Sequence, residues 1–306
     1  MAERLAPIRR VAAGGRRLVA DAVFRRRTRT ADIPTVRGDL DLTRYERGTP
    51  DQQRAFDLFA GRWSSWIPTV SNTGNVPLFA DHRIEWLVGE LGDVSGWDVL
   101  DLGSLEGGHT WMLEQRGARV TAIEANVGAF LRCLVVKNQL DLRARFVLGD
   151  ITNPDTDFGR RDLVIASGIF YHLLDPIEVV TRIASSTERL FIWTQYFDKD
   201  LDRWSVDPAW LATSPWDPDH PIVTDVEGHP IELVPFHYQE RRATFSGGAE
   251  PTAYWFVRDD LLTLLGVLGF DDVQVTMDEP DAPNGPAFCV LAQRTAGGDA
   301  SGRAQV

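Results

Sequence analysis

At residues 97–108 the chain reads WDVLDLGSLEGG, an apolar run followed at once by glycines. The first half, 97–102, has the composition of a buried strand, and a helix is predicted over about 107–116. Glycine lets the chain turn sharply and lets a ligand approach the backbone with no Cβ in the way. The stretch therefore predicts a ligand-binding turn between a strand and a helix.

Strands and helices alternate around this loop. Short apolar strands that alternate with helices indicate an α/β fold with a doubly wound parallel sheet and right-handed crossovers. We predict seven strands in a mostly parallel sheet, the last pair antiparallel. The strands are 97–102, 119–123, 144–148, 162–166, 190–194, 273–277 and 287–292; the helices are 52–59, 78–91, 107–116, 125–139, one that opens at Pro176, and 257–268.

The remaining segments differ in composition from this alternating region. The stretch after Phe197 is rich in tryptophan, histidine and proline, which is typical of an insertion that could act as a lid or a dimer contact. The predicted organisation is a basic arm (1–30), a helical cap (31–95), a cofactor-binding core (96–197), an aromatic and histidine-rich insertion (198–256), the closing helix and strands of the core (257–294) and a disordered tail (295–306).

Charge is concentrated in the arm. The formal net charge is -12, but residues 1–30 hold nine arginines against Glu3 and Asp21, a local balance of +7. The acidic remainder argues against a broad nucleic-acid surface, which needs a concentrated basic face. The arm is either an amphipathic helix that contacts a membrane surface or a partner, or a frayed basic leader.

The sequence also bears on whether the protein holds a metal and on where in the cell it is found. Two cysteines, Cys133 and Cys289, cannot form a disulfide framework, and no HxxxH or CxxC pattern occurs, so we expect no metal. An apolar run of about 18 residues and a cleavable leader are both missing from the sequence. We therefore expect a cytoplasmic protein, with the arm as its one route to a membrane surface.

The ends of the first two strands point to a nucleoside. Ligands of open α/β sheets lie at the carboxyl ends of the strands, where the strand order reverses. Glu124 stands 21 residues after Gly103, a spacing that suits a carboxylate on a ribose diol. A nicotinamide dinucleotide would need GxGxxG, whereas this loop has three residues between Gly103 and Gly107. One of them is Glu106, which would repel a pyrophosphate.

Four segments in order resemble the motifs of class I S-adenosylmethionine-dependent methyltransferases. The resemblance covers about residues 80–197 and the closing strands, and four such motifs in order are specific where one alone is weak. Leu105 departs from the usual DxGxGxG, because it stands where the second glycine is expected. The four segments are VLDLGSLEGG (99–108), TAIEAN (121–126), VLGDI (147–151) and LVIASGIFYHLLDP (163–176).

The resemblance implies the cofactor contacts. Taken alone, aspartates at strand ends are also typical of turns, and Glu124 could cap the next helix. The implied contacts are Gly103, Ser104 and Gly107 on the methionine part of S-adenosylmethionine, with Asp101 supporting their loop; Glu124 on both ribose hydroxyls; Asp150 on the adenine amine and Ile151 over its ring; and the backbone of Ser167 and Gly168 at the amino-acid end.

In this class the protein contributes to catalysis mainly by aligning the methyl donor with the acceptor. The methyl carbon is already activated by a sulfonium, so neither a metal nor a covalent intermediate is required. A hydroxyl acceptor also needs a base, and His172, five residues past Ser167, is the candidate, with Tyr171 beside it. The alternative is that both residues serve as scaffold.

The insertion is the predicted place for acceptor contacts. Flat aromatic faces combined with hydrogen-bonding groups suit a polar ring such as a sugar, although the same residues could form the core of a lid. We predict O-methylation of a sugar-like or natural-product acceptor, with S-adenosylhomocysteine as the other product. The predicted acceptor contacts are Tyr196, Trp204, His237, Tyr238 and Trp255.

Two other functions stay open at this point. SGIFYHLLDP also resembles the corresponding stretch of tRNA wobble-uridine carboxymethyltransferases, which implies a tRNA substrate and hence a basic face. The acidic core argues against it. A cofactor-binding scaffold without activity, working through the arm, is the third candidate.

Overall fold

The computed structural model describes residues 9–10, 45–199, 216–238, 250–282 and 284–295. Most of the basic arm, Trp204 and the tail from residue 296 lie outside the described residues. The described chain forms two sheets, one of eight strands and one of three.

The large sheet has the predicted topology. Its strands are β1 (Arg9–Arg10), β2 (Asp98–Leu102), β3 (Arg119–Glu124), β4 (Arg145–Leu148), β5 (Leu163–Ser167), β6 (Arg189–Gln195), β10 (Asp272–Glu279) and β11 (Ala287–Gln293). Their order is β1-β10-β11-β6-β5-β2-β3-β4, with β11 antiparallel to both of its neighbours. The order reverses between β2 and β5, so this is the switch point at which ligands of such sheets lie. The predicted α/β fold is confirmed.

The eighth strand was not predicted. Arg9 and Arg10 pair in parallel with Gln274 and Val275 of β10, at the edge of the sheet. A strand of two residues is too short to show an alternating pattern, so no sequence pattern predicts it. These two residues of the arm are extended, and both interpretations of the arm stay predictions.

Six α-helices connect the described strands. They are α1 (Gln53–Asp57), α2 (His82–Leu91), α3 (Gly108–Glu114), α4 (Val127–Leu140), α5 (Pro176–Ser186) and α6 (Arg258–Val267), with short 3-10 helices at Leu78–Ala80 and Phe170–His172. The predicted helix 78–91 is broken at Asp81, whose side chain accepts from the Arg83 N–H at 3.0 Å and caps α2. No helix in the described ranges is long and apolar enough to cross a membrane.

The core lies on both faces of the large sheet. On one face α5 and α6 cover β5 and β6, with Ile183 and Leu264 among their fully buried residues. On the other face α2 and α3 contribute Leu87 and Leu113. Because both faces of the central strands are covered, those strands are mostly apolar, which is why 97–102 lacks a regular polar alternation despite Asp98 and Asp101.

The insertion is more regular than its composition suggested. It holds a three-stranded antiparallel sheet of β7 (Ile222–Val226), β8 (His229–His237) and β9 (Thr252–Phe256). The β7–β8 turn consists of Glu227 and Gly228, both at positive φ (52° and 84°), the conformation that a tight two-residue hairpin needs. This small sheet packs on the carboxyl end of β6 through a cluster that includes Phe197, Phe236 and Trp255.

Candidate active site

The glycine loop after β2 has a left-handed backbone conformation at three alternate positions. Gly103, Leu105 and Gly107 have φ values of 71°, 53° and 79°. A Cβ on Gly103 would lie 2.5 Å from Cγ2 of Ile169, so only glycine fits there. Leu105 adopts the backbone conformation of the glycine that it replaces. The departure from the motif therefore leaves a left-handed residue at this position of the loop.

Glu106 points away from the ligand side of this loop. Its side chain is fully buried and accepts from the backbone N–H groups of Ser64 (2.9 Å) and Ser65 (2.7 Å) and from Nε of Arg132 (3.0 Å). Arg132 belongs to α4, while the two serines belong to the cap. The carboxylate thus ties together the loop, the cap and α4, a role that sequence reasoning missed because the loop motif gives no direction for its side chain.

Two buried acids hold the loop from the sheet side. Asp101 accepts a hydrogen bond from the Thr110 hydroxyl at 2.6 Å, and burial raises the pKa of its carboxyl group. Glu124 accepts from the backbone N–H of Leu105 with Oε2 and from that of Asn126 with Oε1, both at 2.8 Å. Burial raises the pKa of Glu124 as well, against the effect of these two bonds. The N-cap residue of α4 is Asn126, whose side chain accepts from the Ala129 N–H, so Glu124 is not the N-cap of this helix.

Asp150 follows β4 and faces solvent. Its Oδ1 accepts from the N–H and the hydroxyl of Thr152, both at 2.8 Å, which forms the turn expected of an aspartate at this position. Within the described residues, Oδ2 makes no hydrogen bond and so stays able to accept one. The next residue, Ile151, is almost fully buried in the core beneath.

The chain after β5 brings a histidine to the switch point. Gly168 turns the backbone at φ 83° and donates its N–H to the Trp193 carbonyl at 2.8 Å; Ser167 pairs with Trp193. Ile169 then contacts Gly103, as described above. The 3-10 helix Phe170–His172 begins one residue later, so His172 stands three residues after the contact of Ile169 with the glycine loop.

His172 and Tyr171 are held by the insertion. Tyr238, at the end of β8, places its hydroxyl 2.7 Å from Nδ1 of His172 and donates to the Tyr171 carbonyl at 3.0 Å. Burial lowers the pKa of His172 to about 4 and raises that of Tyr171 to about 12. Both side chains are therefore neutral at pH 7. The N–H of Tyr254 in β9 donates to Leu173, which anchors the small sheet to the same segment.

The other residues predicted to contact the acceptor are scattered. Trp255 is 1% exposed and stacks on Phe236 at 4.6 Å, in the core of the small sheet. Tyr196 is also 1% exposed, and its hydroxyl donates to Asp278 at 2.8 Å. His237 is exposed and lies 3.0 Å from the Thr252 hydroxyl. Of the described members of the set, only Tyr238 lies beside His172; Trp204 is outside the described residues.

A buried ion network links the cap to this region. Asp81 binds Nε of Arg83 (2.9 Å) and Nε2 of His109 (2.8 Å). Burial alone would raise the pKa of Asp81, but these hydrogen bonds hold it well below its usual range. The guanidinium of Arg83 lies 4.4 Å from the Trp193 ring centroid, on whose edge Tyr171 packs. Sequence reasoning missed this network, because it placed Asp81 inside one continuous helix over 78–91.

The strand ends fit S-adenosylmethionine in the chemistry of their donors. A turn of glycines follows β2, a carboxylate follows β3, and a second carboxylate with an unused oxygen follows β4. Histidine, cysteine, aspartate and glutamate do not cluster as a metal site anywhere in the described ranges.

Comparison with known proteins agrees with this arrangement. Residues 100–188 match the family described as "Methyltransferase domain". The fold is similar to the N-terminal domain of EvdMO1, solved in the presence of S-adenosylhomocysteine (SAH) and D-fucose, with a TM-score of 0.60, 18% identity and coverage of 81% of this chain and 100% of that one. Whole EvdMO1 gives a TM-score of 0.53 at 15% identity, over 79% of this chain and 46% of that one. No protein of curated function matches the sequence.

The sheet order, the glycine loop and the family match define the class. Residues 100–188 match a methyltransferase domain and lie in a Rossmann-like sheet, and the protein is a methyltransferase whose methyl donor is S-adenosylmethionine. The resemblance drawn from the four motifs is confirmed. The local likeness to tRNA wobble-uridine carboxymethyltransferases stays a prediction.

Proposed function

We propose that this enzyme methylates a hydroxyl group of a sugar-like or glycosylated small molecule, with His172 as the general base. The observation that carries the proposal is the neutral imidazole at the switch point, held by Tyr238 within hydrogen-bond distance. A hydroxyl must lose its proton as it attacks, and a neutral histidine can accept it.

The chain's own residues supply position and a proton acceptor. Glu124 and Asp150 would hold the nucleoside, since each has a carboxylate at the end of its strand. When bound, S-adenosylmethionine supplies a methyl group on a positively charged sulfur, so that the acceptor oxygen bonds to carbon while the carbon–sulfur bond breaks and leaves its electron pair on sulfur. His172 takes the proton that the acceptor hydroxyl loses.

Two observations support a sugar-like acceptor. Aromatic rings and hydrogen-bonding groups surround His172, with the Tyr171 ring centroid 4.1 Å and the Tyr238 ring centroid 5.9 Å from the imidazole. Such surroundings suit a polar ring that presents both apolar faces and hydroxyls. In addition, the EvdMO1 domain of similar fold was solved in the presence of D-fucose.

An acceptor screen tests the proposal. The purified protein is incubated with methyl-labelled S-adenosylmethionine and free deoxyhexoses including D-fucose, nucleotide-linked sugars, glycosylated small molecules or, separately, tRNA. We expect label on an oxygen of a sugar-containing compound and release of an equal amount of SAH. Label on nitrogen or carbon, or in tRNA alone, would contradict it. SAH binding without transfer to any acceptor would favour the scaffold.

A further inference from the structure

The loop between β4 and β5 is held by one arginine of α5. Nη1 of Arg182 donates to the Ile151 carbonyl at 3.1 Å. Nη2 donates to the carbonyls of Asn153 (3.0 Å) and Thr156 (2.7 Å). A second bond from Nη1 reaches Oε1 of Glu178 at 3.3 Å. The four N–H groups of the two terminal nitrogens therefore have four acceptors, three of which belong to the main chain of this loop.

The helix that carries Arg182 is fixed in the core. Val179, Val180 and Ile183 of α5 are each no more than 1% exposed and pack in the large core cluster. The guanidinium lies 4.8 Å from the ring centroid of Phe158, a buried residue at the far end of the same loop. Arg182 thus fastens a loop of mostly exposed residues to the packed interior.

The loop that Arg182 holds begins with Asp150. The Asp150 main-chain carbonyl accepts from the Thr156 hydroxyl at 2.6 Å, and its Oδ1 accepts from Thr152. Arg182 binds the carbonyls of Thr156 and of Ile151, the residue that follows Asp150. Of the two carboxylate oxygens, Oδ2 is the one without a hydrogen bond in the part of the chain that the structure describes. The position of this oxygen is therefore set by the loop and, through the loop, by Arg182.

We propose that Arg182 is a positioning residue for recognition of the nucleobase, because it holds the loop in which Oδ2 of Asp150 accepts from the exocyclic amine of adenine. The contact of Asp150 with the nucleoside rests on the proposed function. The terminal N–H groups of Arg182 are used by the protein, so Arg182 acts through the loop. A carboxylate oxygen can only accept, so it favours a base with an amine at this position over a base with a carbonyl. Arg182 should therefore affect the choice of base.

Two ligands that differ at the exocyclic position test the proposal. S-inosylhomocysteine has an oxygen where SAH has the amine. In calorimetric titration the wild type should bind SAH at least about 10-fold more tightly, because the amine donates to a charged acceptor and the oxygen has no proton to donate. Asp150→Ala, which removes the acceptor, should reduce this ratio to about threefold or less.

The Arg182 variants give the decisive comparison. Arg182→Met should lower the affinity ratio toward that of Asp150→Ala, because three carbonyls of the loop lose their donor. Arg182→Lys keeps the positive charge but loses the fork of two terminal nitrogens, so it should not restore the ratio. Arg160→Met is the control, since Arg160 pairs with Glu188 at the surface, and it should keep the wild-type ratio. A loss of stability alone would weaken both ligands equally and leave the ratio unchanged.

A milder variant keeps the test decisive if Arg182→Met does not fold. Thr156→Val removes the hydroxyl bond to the Asp150 carbonyl and leaves the arginine in place, so the ratio should fall by less than in Arg182→Met. Wild-type ratios in folded Arg182→Lys and Thr156→Val, together with a reduced ratio in Asp150→Ala, would overturn this proposal alone. A wild type that does not discriminate, or an Asp150→Ala variant with the wild-type ratio, would overturn the nucleoside contact of Asp150 and this proposal with it. Failure of the acceptor screen would affect only the proposed acceptor and base, because both ligands are titrated without an acceptor.

Discussion

The nucleoside side and the acceptor side of the candidate site are built from different kinds of contact. On the nucleoside side, Glu124 holds the N–H of Leu105, 19 residues earlier, and both stand at ends of neighbouring parallel strands. On the acceptor side, His172 is held by Tyr238, 66 residues later and directly after β8 of the separate small sheet. The fold of the large sheet therefore fixes the first side. The second side depends on the insertion, whose strands lie outside the large sheet and share its core through residues such as Ile231 and Phe256.

The largest effect should come from breaking the anchor beneath the glycine loop. Glu106→Ala leaves Arg132 without its buried partner and removes the acceptor of two cap N–H groups. Breaking a buried ion pair from one side costs about 3–5 kcal/mol, which thermal and urea unfolding would both register. Glu178→Ala is the matched control, because its pair with Arg182 is partly exposed and lies within one helix. It should cost less than about 1 kcal/mol. Equal losses in the two variants would show that the anchor is unimportant.

The anchor also shows where sequence reasoning stops. The order of the strands, the glycine turn and the acids at the strand ends follow from local patterns, since each depends on residues close in sequence or on the regular geometry of a parallel sheet. Glu106 lay inside that motif and still could not be oriented, because its partners come from the cap and α4. The contact between His172 and Tyr238 was out of reach for the same reason.

The next effect concerns the acceptor side. His172→Ala should lower turnover about 100-fold or more with little change in KM for S-adenosylmethionine, because a general base acts on the chemical step and does not bind the nucleoside. His220→Ala is the control, since His220 is exposed and pairs only with Asp217 among the described residues. Steady-state kinetics with a saturating acceptor would measure both. Turnover of His172→Ala within a few-fold of the wild type would return His172 to a scaffold role.

A smaller loss is expected on the nucleoside side. Glu124→Gln keeps the shape of the side chain, but its amide N–H₂ then faces one of the two backbone N–H groups that now donate to the carboxylate. SAH binding should weaken by about 2 kcal/mol, which calorimetric titration resolves. Glu90→Gln on the exposed side of α2 serves as control, and NAD as a ligand that should not bind. Unchanged affinity in Glu124→Gln would remove Glu124 from the nucleoside site.

Leu105 allows a change in the stabilising direction. Its φ of 53° strains a side chain with a Cβ by about 1–2 kcal/mol. Leu105→Gly relieves that strain and loses some burial, so the midpoint of urea unfolding should rise by an amount equivalent to about 0.5 kcal/mol. Leu105→Ala keeps the Cβ, and with it the strain, and should be less stable than the wild type. A glycine variant no more stable than the alanine variant would mean that the loop is not strained at this position.

The smallest effect is the response to pH, and it separates the two sides. The imidazole must be neutral to accept a proton, and burial lowers the pKa of His172 to about 4. At saturating S-adenosylmethionine, kcat should stay level from pH 8 to pH 5 and fall to half only near pH 4. If His172 had the ordinary histidine pKa of about 6.5, kcat would fall to half already near pH 6.5. Tyr171 and Tyr238, which face the imidazole, have raised pKa values and stay neutral throughout this range.

Glu124 behaves differently, because burial raises its pKa. Its protonation should weaken binding, so kcat/KM for S-adenosylmethionine should fall at a higher pH than kcat does. Circular dichroism at each pH would show that the protein is still folded. A decline of kcat near pH 6.5 would contradict the burial of His172, and parallel declines of both parameters would contradict the assignment of the two residues to separate sides.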